Sequence, residues 1–367
     1  MTDREVVAPR RSSRDPEQLR LRLIEWFRDL LPAGADPHVP AVATPAATGM
    51  SSETLLFELV WNDDGHRRSR HLVARVAPDP ADVPVFPSYD LEAQYRVMEL
   101  VAARSRVPVP TPRWLEPDPT VLGAPFFVMD RIEGRVPPDV MPYPMEGWLL
   151  DATPAEQRAL QDASVEVLAD LHGIDLRGLD LSFLEPDAPG DTALRRHVAH
   201  WRAYYDWMRA GRSFPLLERA FAWLEDHWPA EEGATVISWG DARIGNIVYD
   251  GFTPVAVLDW EMAGLGPPGI DLGWMVFLHT FFQDIARTFD LPGMPGFMRA
   301  EDVAATYERR SGRAVGDLRF YEVYAALRHG IVMARIRDRQ VAFGEEQPVE
   351  DPDDAIMHRA VLEAMLA

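Results

Sequence analysis

Apolar residues recur at helical spacing in several parts of the chain. The first such stretch begins at Asp15, a residue type that caps helix N-termini, continues with Pro16, and ends before Pro32. Further helices are predicted over residues 90–103, 153–172, 192–210 and 214–228, from Ile270 onward, and in two or three later segments that end with residues 353–366. His172, at the end of its helix, is expected to cap that helix rather than to take part in chemistry.

Strand patterns dominate the first third instead. Residues 55–60 and 71–76 are apolar runs on either side of an Asn-Asp-Asp-Gly turn, which predicts a hairpin. A small, polar segment, residues 47–54, opens into its first strand. Residues 107–112 are predicted to form an extended connector and residues 121–130 a further hairpin. The polar, Gly-containing segment that follows would link two parts of the chain, and the prolines of residues 136–144 predict an irregular crossing between them.

Composition narrows the function classes. The hydrophobic share of 47% is that of a globular protein, and no apolar run is long enough to span a membrane. The first fifteen residues lack the apolar core of a signal peptide, so a cytoplasmic protein without a membrane partner is expected. The net charge of −21 makes a nucleic-acid partner unlikely on electrostatic grounds.

Two residue types are missing. All 37 basic residues are arginine, so Schiff-base chemistry and a Walker-A lysine are excluded. The absence of cysteine excludes disulfides, thiolate metal sites and cysteine nucleophiles.

The segment that carries chemistry is residues 238–261. Two apolar runs, residues 247–250 and 254–258, flank a turn at Gly251 and predict a β-hairpin. Because a hairpin brings its ends together, Asn246 and Asp259 should be neighbours, and Asp241 lies on the loop that leads into the hairpin. Three oxygen-bearing side chains therefore converge in one local unit.

These side chains suit phosphoryl transfer to a hydroxyl. One carboxylate, Asp241, can accept the proton of the attacking oxygen, while Asn246 and Asp259 can hold Mg²⁺ on a triphosphate. If the strand continued past Asp259, Glu261 would point the same way and could be a further metal ligand or an acid that supports the ligands from behind. An Asp-x4-Asn spacing alone is weak evidence for a phosphoryl-transfer site. The same spacing followed by a hairpin and by Asp-x-Glu is much stronger evidence.

With these motifs the chain resembles the aminoglycoside phosphotransferase and choline kinase superfamily, the small-molecule branch of the kinase-like fold. Residues 240–246 and 258–261 match its catalytic loop and metal-binding segment, and residues 264–271 resemble the following loop and helix start. Upstream, residues 49–59, 72–76 and 123–134 look like its nucleotide loop, anchor strand and hinge. The resemblance covers roughly residues 20–340.

The resemblance implies an α+β, bilobal protein-kinase-like fold. After a disordered tail over residues 1–15, a small antiparallel-sheet N-lobe would occupy residues 16–130 and bind the nucleotide. Residues 131–135 would form the hinge. Residues 136–367 would form a larger, mainly helical C-lobe that carries the catalytic hairpin and the substrate cleft.

It also implies roles for individual residues, with ATP and Mg²⁺ as cofactors and a small hydroxyl-bearing molecule as substrate. Asp241 would be the catalytic base, and Asn246, Asp259 and Glu261 the metal-binding residues. The nucleotide-binding set would be Gly49, Ser51, Ser52, Arg75, Met129, Arg131 and Ile132, with Arg75 in place of an anchoring lysine. Trp239, Arg243, Asp271 and Gln94 would support the site, Asp271 by bracing the catalytic loop.

The chain departs from the family pattern at three positions. Trp239 stands where histidine is common, so the support behind the loop must be built differently. Arg75 grips phosphate with a differently shaped group than lysine does. Gln94 falls where its acidic partner is expected, with Glu92 the nearest carboxylate.

Several alternatives stay open at this point. A cationic, aminocyclitol-type acceptor would suit an acidic cleft, whereas an anionic acceptor such as a hydroxyacyl thioester of coenzyme A would favour the arginines of residues 195–212. A nucleotide-binding pseudokinase module is a third possibility, motivated by the three departures. ATP or GTP preference, oligomeric state and biological role are open.

Overall fold

The hairpin predicted in the first third is the centre of a five-stranded antiparallel sheet. A computed structural model describes residues 14–44 and 52–367. The sheet strands are β1 (Val42–Ala43), β2 (Glu53–Asp63), β3 (His66–Val76), β4 (Pro112–Glu116) and β5 (Phe126–Asp130), in the order β1-β2-β3-β5-β4. The predicted pairing of β2 with β3 is confirmed, and both strands extend beyond the predicted apolar runs because their polar ends continue the ladder to Asp63 and His66.

The prediction of a hairpin within residues 121–130 is wrong. Only β5 is a strand there, and its hairpin partner is β4, which begins in the predicted connector. Gly123 has φ +85°, a conformation typical of a turn. Pro112 is compatible with its strand because it is the first residue of a strand at the sheet edge, where an N–H is not needed for pairing.

The predicted helices form with short shifts at their ends. In the described residues the α-helices are α1 (Pro16–Leu30), α2 (Leu91–Arg104), α3 (Pro154–His172), α4 (Ala193–Arg209), α5 (Pro215–Asp226), α6 (Gly269–Thr288), α7 (Ala300–Ser311), α8 (Arg319–Ala342) and α9 (Arg359–Met365). Asp15 caps α1, Thr153 forms a capping box with Glu156 on α3, and Thr192 caps α4. The last predicted helix is instead a 3₁₀ turn, Pro352–Ala355, followed by α9.

The chain forms two compact units. The first contains the chain up to Tyr95, Thr111–Arg131 and Arg335–Pro348, and the second contains Arg96–Pro110, Ile132–Ala334 and Val349–Ala367. The first unit is the five-stranded sheet with α1, whose Phe27 and Trp26 pack on Phe126, Phe57 and Trp114. Of the predicted tail, residues 1–13 lie outside the described residues. Arg14 forms an ion pair with Glu53 at 2.7 Å.

The second unit is mainly helical and contains two short sheets. Strand β6 (Val236–Ser238) pairs with β9 (Gly264–Gly266), and β7 (Ile247–Asp250) pairs with β8 (Thr253–Val257), all antiparallel. The α+β class is thereby confirmed. None of the helices in residues 14–44 and 52–367 is long and apolar enough to cross a membrane.

Candidate active site

The β7–β8 hairpin places the two predicted metal-binding segments side by side. Ile247 pairs with Val257, and the N–H of Leu258 donates to the carbonyl oxygen of Asn246 at 2.9 Å. Asn246 therefore lies opposite the residue that precedes Asp259. The hairpin thus brings Asn246 next to the segment that carries Asp259, as its geometry predicted.

The Asp241 carboxylate is held by three side chains. Trp274 Nε1 donates to Oδ1 at 2.7 Å and Asn246 Nδ2 donates to Oδ2 at 2.7 Å. Arg243 Nε lies 3.2 Å from Oδ1 and 3.1 Å from Oδ2. The carboxylate is only 13% exposed, so its orientation is fixed by these donors while part of it stays accessible.

Arg243 joins Asp241 to a residue of the proline-rich segment. Its Nη1 contacts Asp139, and burial of its guanidinium is outweighed by the two carboxylates, which raise the pKa of Arg243 above its ordinary value. Gly245 lies against this pair, and a Cβ there would collide with Asp139 and Arg243. The arginine is therefore a fixed positive charge beside the proposed base.

Asp271, at the start of α6, organises the backbone behind Asp241. It accepts hydrogen bonds from Ser238 Oγ, from the backbone N–H of Trp239 and from that of Gly240, each at 2.8 Å. Although burial opposes its charge, hydrogen bonds from His172 and from these donors lower the pKa of the carboxyl. The ionised carboxylate thus anchors the turn that leads to Asp241.

The prediction that His172 caps its helix is wrong. Its ring is fully buried, with Nε2 2.9 Å from Asp271 Oδ2 and Nδ1 3.0 Å from the Tyr307 hydroxyl. The helix ends at His172, and its C-cap residue is Gly173, whose N–H donates to the carbonyl oxygen of Ala169. His172 therefore belongs to the support of the catalytic loop.

Trp239 and Gly240 tie the catalytic loop to the segment after the hairpin. Trp239 Nε1 donates to the carbonyl oxygens of Leu258 at 2.9 Å and Asp259 at 3.2 Å. Gly240 has φ +87°, and a Cβ there would overlap the backbone of Met262. The indole that replaces the histidine common in the family thus gives the loop a direct bond to the predicted metal segment.

The backbone itself is unusual at Asp259, which has φ +61° although it is not glycine. Such left-handed backbone costs free energy and tends to occur at functional positions. The premise for Glu261, a strand that continues to it, is wrong: β8 ends at Val257, and residues 261–262 form a turn. The assignment of Glu261 to the metal stays a prediction without that premise.

The donor chemistry near Asp259 fits Mg²⁺. A carboxylate from Asp259 and an amide oxygen from Asn246 are hard oxygen ligands, and Mg²⁺ commonly takes one or two protein ligands plus phosphate oxygens and water. Within residues 14–44 and 52–367, no group of three or more His, Asp or Glu side chains is placed to hold a metal ion. A site built on few protein ligands is consistent with that observation.

The nucleotide-binding residues predicted in the first unit are described only in part. Gly49 and Ser51 lie outside the described residues. Ser52 is buried, and its hydroxyl has no hydrogen-bond partner in the part of the chain that the structure describes. Arg75 is buried on β3, with Nη1 donating to Thr54 Oγ1 at 3.1 Å, and Gln94 is buried on α2.

The predicted hinge begins at the end of β5. Met129 is buried and paired with Val73, and the N–H of Arg131 donates to the carbonyl oxygen of His71 at 3.0 Å. That N–H is therefore engaged within the sheet, so of the backbone groups of Arg131 only the carbonyl oxygen would be left for a base. Ile132 is half-buried and begins the next segment of the second unit.

A family model described as "Phosphotransferase enzyme family" matches residues 42–313. The chain belongs to this family. The phosphotransferase is also similar to a solved structure of a putative aminoglycoside phosphotransferase from Ralstonia eutropha, with a TM-score of 0.62 and 24% identity over 94% of this chain and 96% of that one. A macrolide 2'-phosphotransferase from Brachybacterium faecium gives a TM-score of 0.56 and 18% identity, covering 92% and 97% of the two chains.

These similarities confirm the kinase-like fold. A thermostable aminoglycoside phosphotransferase solved as a ternary complex with ADP and hygromycin B matches with a TM-score of 0.52 and 19% identity, covering 95% of this chain and 97% of that one. At these sequence identities the structural similarity is evidence for the fold only.

Curated relatives carry a different name. "Acyl-CoA dehydrogenase family member 11" of Gallus gallus is 32% identical over 194 residues, 52% of this chain and 23% of that protein. The protein of the same name in Mus musculus is 25% identical over 299 residues, 80% of this chain and 36% of that protein. This chain thus spans only about a quarter to a third of the length of these two relatives.

Four residues of this candidate site were not assigned to it from the sequence: Asp139, His172, Trp274 and Arg328. Arg328 is fully buried, donates to the carbonyl oxygen of Gly240 at 2.7 Å, and lies 4.5 Å from the ring of Trp274. Trp274 follows Asp271 by three residues and so shares its helix face, which was a usable signal. Asp139 and His172 carried no local signal, because their partners are distant in sequence.

Proposed function

We propose that this phosphotransferase moves the γ-phosphoryl group of ATP to a hydroxyl of a small molecule, with Mg²⁺ as cofactor. The observation that carries the proposal is the Asp241 carboxylate, held by Trp274, Asn246 and Arg243 beside the hairpin that brings Asn246 next to the Asp259 segment. This is the arrangement that the reaction needs: a positioned base next to oxygen ligands for a metal.

In this proposal Asp241 accepts the proton of the acceptor hydroxyl. An ionised carboxylate has about four lone-pair positions. Trp274, Asn246 and Arg243 direct three N–H donors at it, the last shared between its two oxygens, so about one position remains for a hydroxyl. Arg243 supplies positive charge next to the base and contacts both of its carboxylate oxygens. Asn246 and Asp259, with Glu261 as a weaker candidate, would hold Mg²⁺, which neutralises charge on phosphate oxygens when bound.

The nucleotide contacts are proposed by resemblance. Ser52, Arg75 and the segment from Met129 to Ile132 would serve ATP, together with Gly49 and Ser51. Support comes from the burial of Arg75 on β3 and from the buried hydroxyl of Ser52, which has no hydrogen-bond partner among residues 14–44 and 52–367. The ADP complex of the similar aminoglycoside phosphotransferase favours an adenine nucleotide over others.

As the acceptor we favour a small hydroxyl-bearing molecule such as an aminoglycoside or a macrolide, which are the molecules that the names of the similar solved structures contain. The alternative acceptor, a hydroxyacyl thioester of coenzyme A, is favoured by the acyl-CoA name of the curated relatives. Two of the α4 arginines that would suit an anionic acceptor already have carboxylate partners: Arg195 pairs with Glu225 at 2.6 Å and Arg202 with Glu218 at 2.7 Å. An anionic acceptor bound there would have to compete with these carboxylates.

The test is a screen of aminoglycosides, macrolides and hydroxyacyl thioesters of coenzyme A with ATP and Mg²⁺, reading ADP release and the mass of the product. Phosphorylation of any one that disappears on removal of Mg²⁺ supports the proposal. ADP release that no acceptor accelerates argues against it.

The pseudokinase alternative is distinguished by thermal unfolding with ATP, with and without Mg²⁺. Stabilisation that needs Mg²⁺ and is lost in Asp259→Ala supports an enzyme, whereas metal-independent stabilisation without turnover supports a binding module. No stabilisation by any nucleotide contradicts both.

A further inference from the structure

A concave surface of the second unit gathers four arginines. It has a volume of 570 Å³ and lies at the ends of α2, α3 and α7, with charged and polar lining residues Arg104, Ser105, Arg106, Asp170, Arg310 and Arg313. Small-molecule sites commonly fall between 300 and 1,000 Å³, so this arginine pocket is large enough for a ligand of several phosphoryl groups.

Only part of this positive charge is compensated. Arg310 pairs with Asp170 through two bonds of 2.9 Å, and Glu166 adds to the negative potential at Arg310. Arg104 and Arg106 are exposed, and neither has an ion pair among the described residues. The pocket therefore keeps a net positive charge.

Arg313 is fixed in place by a different contact. Its Nη1 donates to the carbonyl oxygen of His172 at 2.8 Å, which leaves its charge without a carboxylate partner. A neutral acceptor orients a guanidinium without cancelling its charge, and a guanidinium has further N–H donors to offer. Arg313 thus presents a positioned cation to the pocket.

The planar donor pairs of arginine match phosphate oxygens. We propose that the arginine pocket binds a small anion that carries two or more phosphoryl groups. A long polyanion such as a nucleic acid is disfavoured because the whole chain carries a charge of −21, whereas a small ligand meets only the local field. The proposal concerns a site separate from Asp241 and does not rest on the proposed reaction.

The test is isothermal titration calorimetry with inorganic pyrophosphate in the presence of EDTA, so that no metal assists binding elsewhere. The variant is the double substitution Arg104→Ala/Arg106→Ala, which breaks no ion pair among the described residues. The matched control is Arg22→Ala/Arg28→Ala, which removes two exposed arginines from α1 and changes the net charge equally.

We expect saturable binding to the wild type that weakens at least about tenfold in the Arg104/Arg106 variant and stays unchanged in the control, since each charge-assisted bond is strong. Binding should also weaken as salt rises. Equal affinity in both double variants, or no saturable binding to the wild type, overturns the proposal. Tighter binding of citrate than of pyrophosphate overturns the phosphoryl assignment. A thermal unfolding midpoint within about 2 °C of the wild type confirms that each variant is folded.

Discussion

Asp241 and Asp271 are both carboxylates of the candidate active site, but they accept hydrogen bonds from different kinds of donor. Asp271 is fully buried and receives two backbone N–H groups, a hydroxyl and an imidazole. Asp241 is partly accessible and receives only side-chain donors. The difference fits two tasks: Asp271 fixes the path of the backbone, and Asp241, as the proposed base, stays accessible to an acceptor. Substitutions at the two positions should therefore fail in different ways.

The largest effect is expected for Asp271→Ala. The change leaves several buried donors without an acceptor, and breaking a buried charged network of this kind costs about 3–5 kcal/mol. We expect a loss of that size in the free energy of unfolding by urea denaturation, together with loss of phosphotransfer. A variant with wild-type stability would show that Asp271 does not hold the loop.

Asp241→Asn should lower turnover strongly and leave stability almost unchanged. A lost general base lowers turnover by about 10²- to 10⁴-fold, while the amide keeps the size of the side chain. We expect the free energy of unfolding to change by less than about 1 kcal/mol, and nucleotide-induced stabilisation to persist, measured by denaturation and thermal shift. Turnover near that of the wild type, on an identified acceptor, would contradict the assignment of the base.

Trp274→Phe tests whether the donor to Asp241 matters. Loss of a hydrogen bond to a charged group is worth about 1.5–3 kcal/mol, so kcat should fall roughly tenfold or more while the KM for the nucleotide stays constant. Trp26→Phe is the matched control, because that buried indole also donates to a carboxylate, that of Glu116 at 2.7 Å, but lies in the first unit and does not contact Asp241. Equal losses in both variants would indicate a general packing effect.

A smaller and gradual decrease in the free energy of unfolding is expected as the pH is lowered. Burial lowers the pKa of His279 and of His358 to about 4, so both are neutral in the folded state but take up protons near pH 6.5 when unfolded. Their contribution to stability is present above about pH 6.5 and falls as the pH drops toward 4, by up to about 1.4 kcal/mol per pH unit for each group. Asp271 has a lowered pKa, so its contribution is lost only at still lower pH.

Urea denaturation between pH 7.5 and pH 4.5 measures this dependence. His279→Gln should reduce the slope, because it removes one group that titrates between the two states. An unchanged slope in that variant would mean that other groups govern the acid response.

The sequence predicted those parts of the site that lie close together in the chain. The loop at Asp241, the hairpin and the neighbourhood of Asn246 and Asp259 follow from turn chemistry and strand alternation within a short segment. Asp271 was expected to brace the loop, and its contacts with Trp239 and Gly240 agree with that expectation, while its role remains a prediction for experiment.

The site residues that could not be predicted make their contacts with residues that are far away in the sequence. His172 reaches Asp271 from another helix, and Arg328 reaches Gly240 from α8, so no local period indicates either. Strand β4 was overlooked because its proline suggests a connector, although an edge strand accepts proline at its start. The argument for Glu261 failed because it assumed that the strand continued through a residue with left-handed backbone.

The two indole groups next to the site have a spectroscopic consequence. Trp274 donates to the proposed base and Trp239 donates to the carbonyl oxygens around Asp259, so a metal, nucleotide or acceptor that alters either residue also alters the polarity around an indole ring. The chain has 11 tryptophans, so the signal is best isolated as the difference between the wild type and Trp274→Phe. Intrinsic fluorescence can thus follow occupancy of the site before any acceptor has been identified.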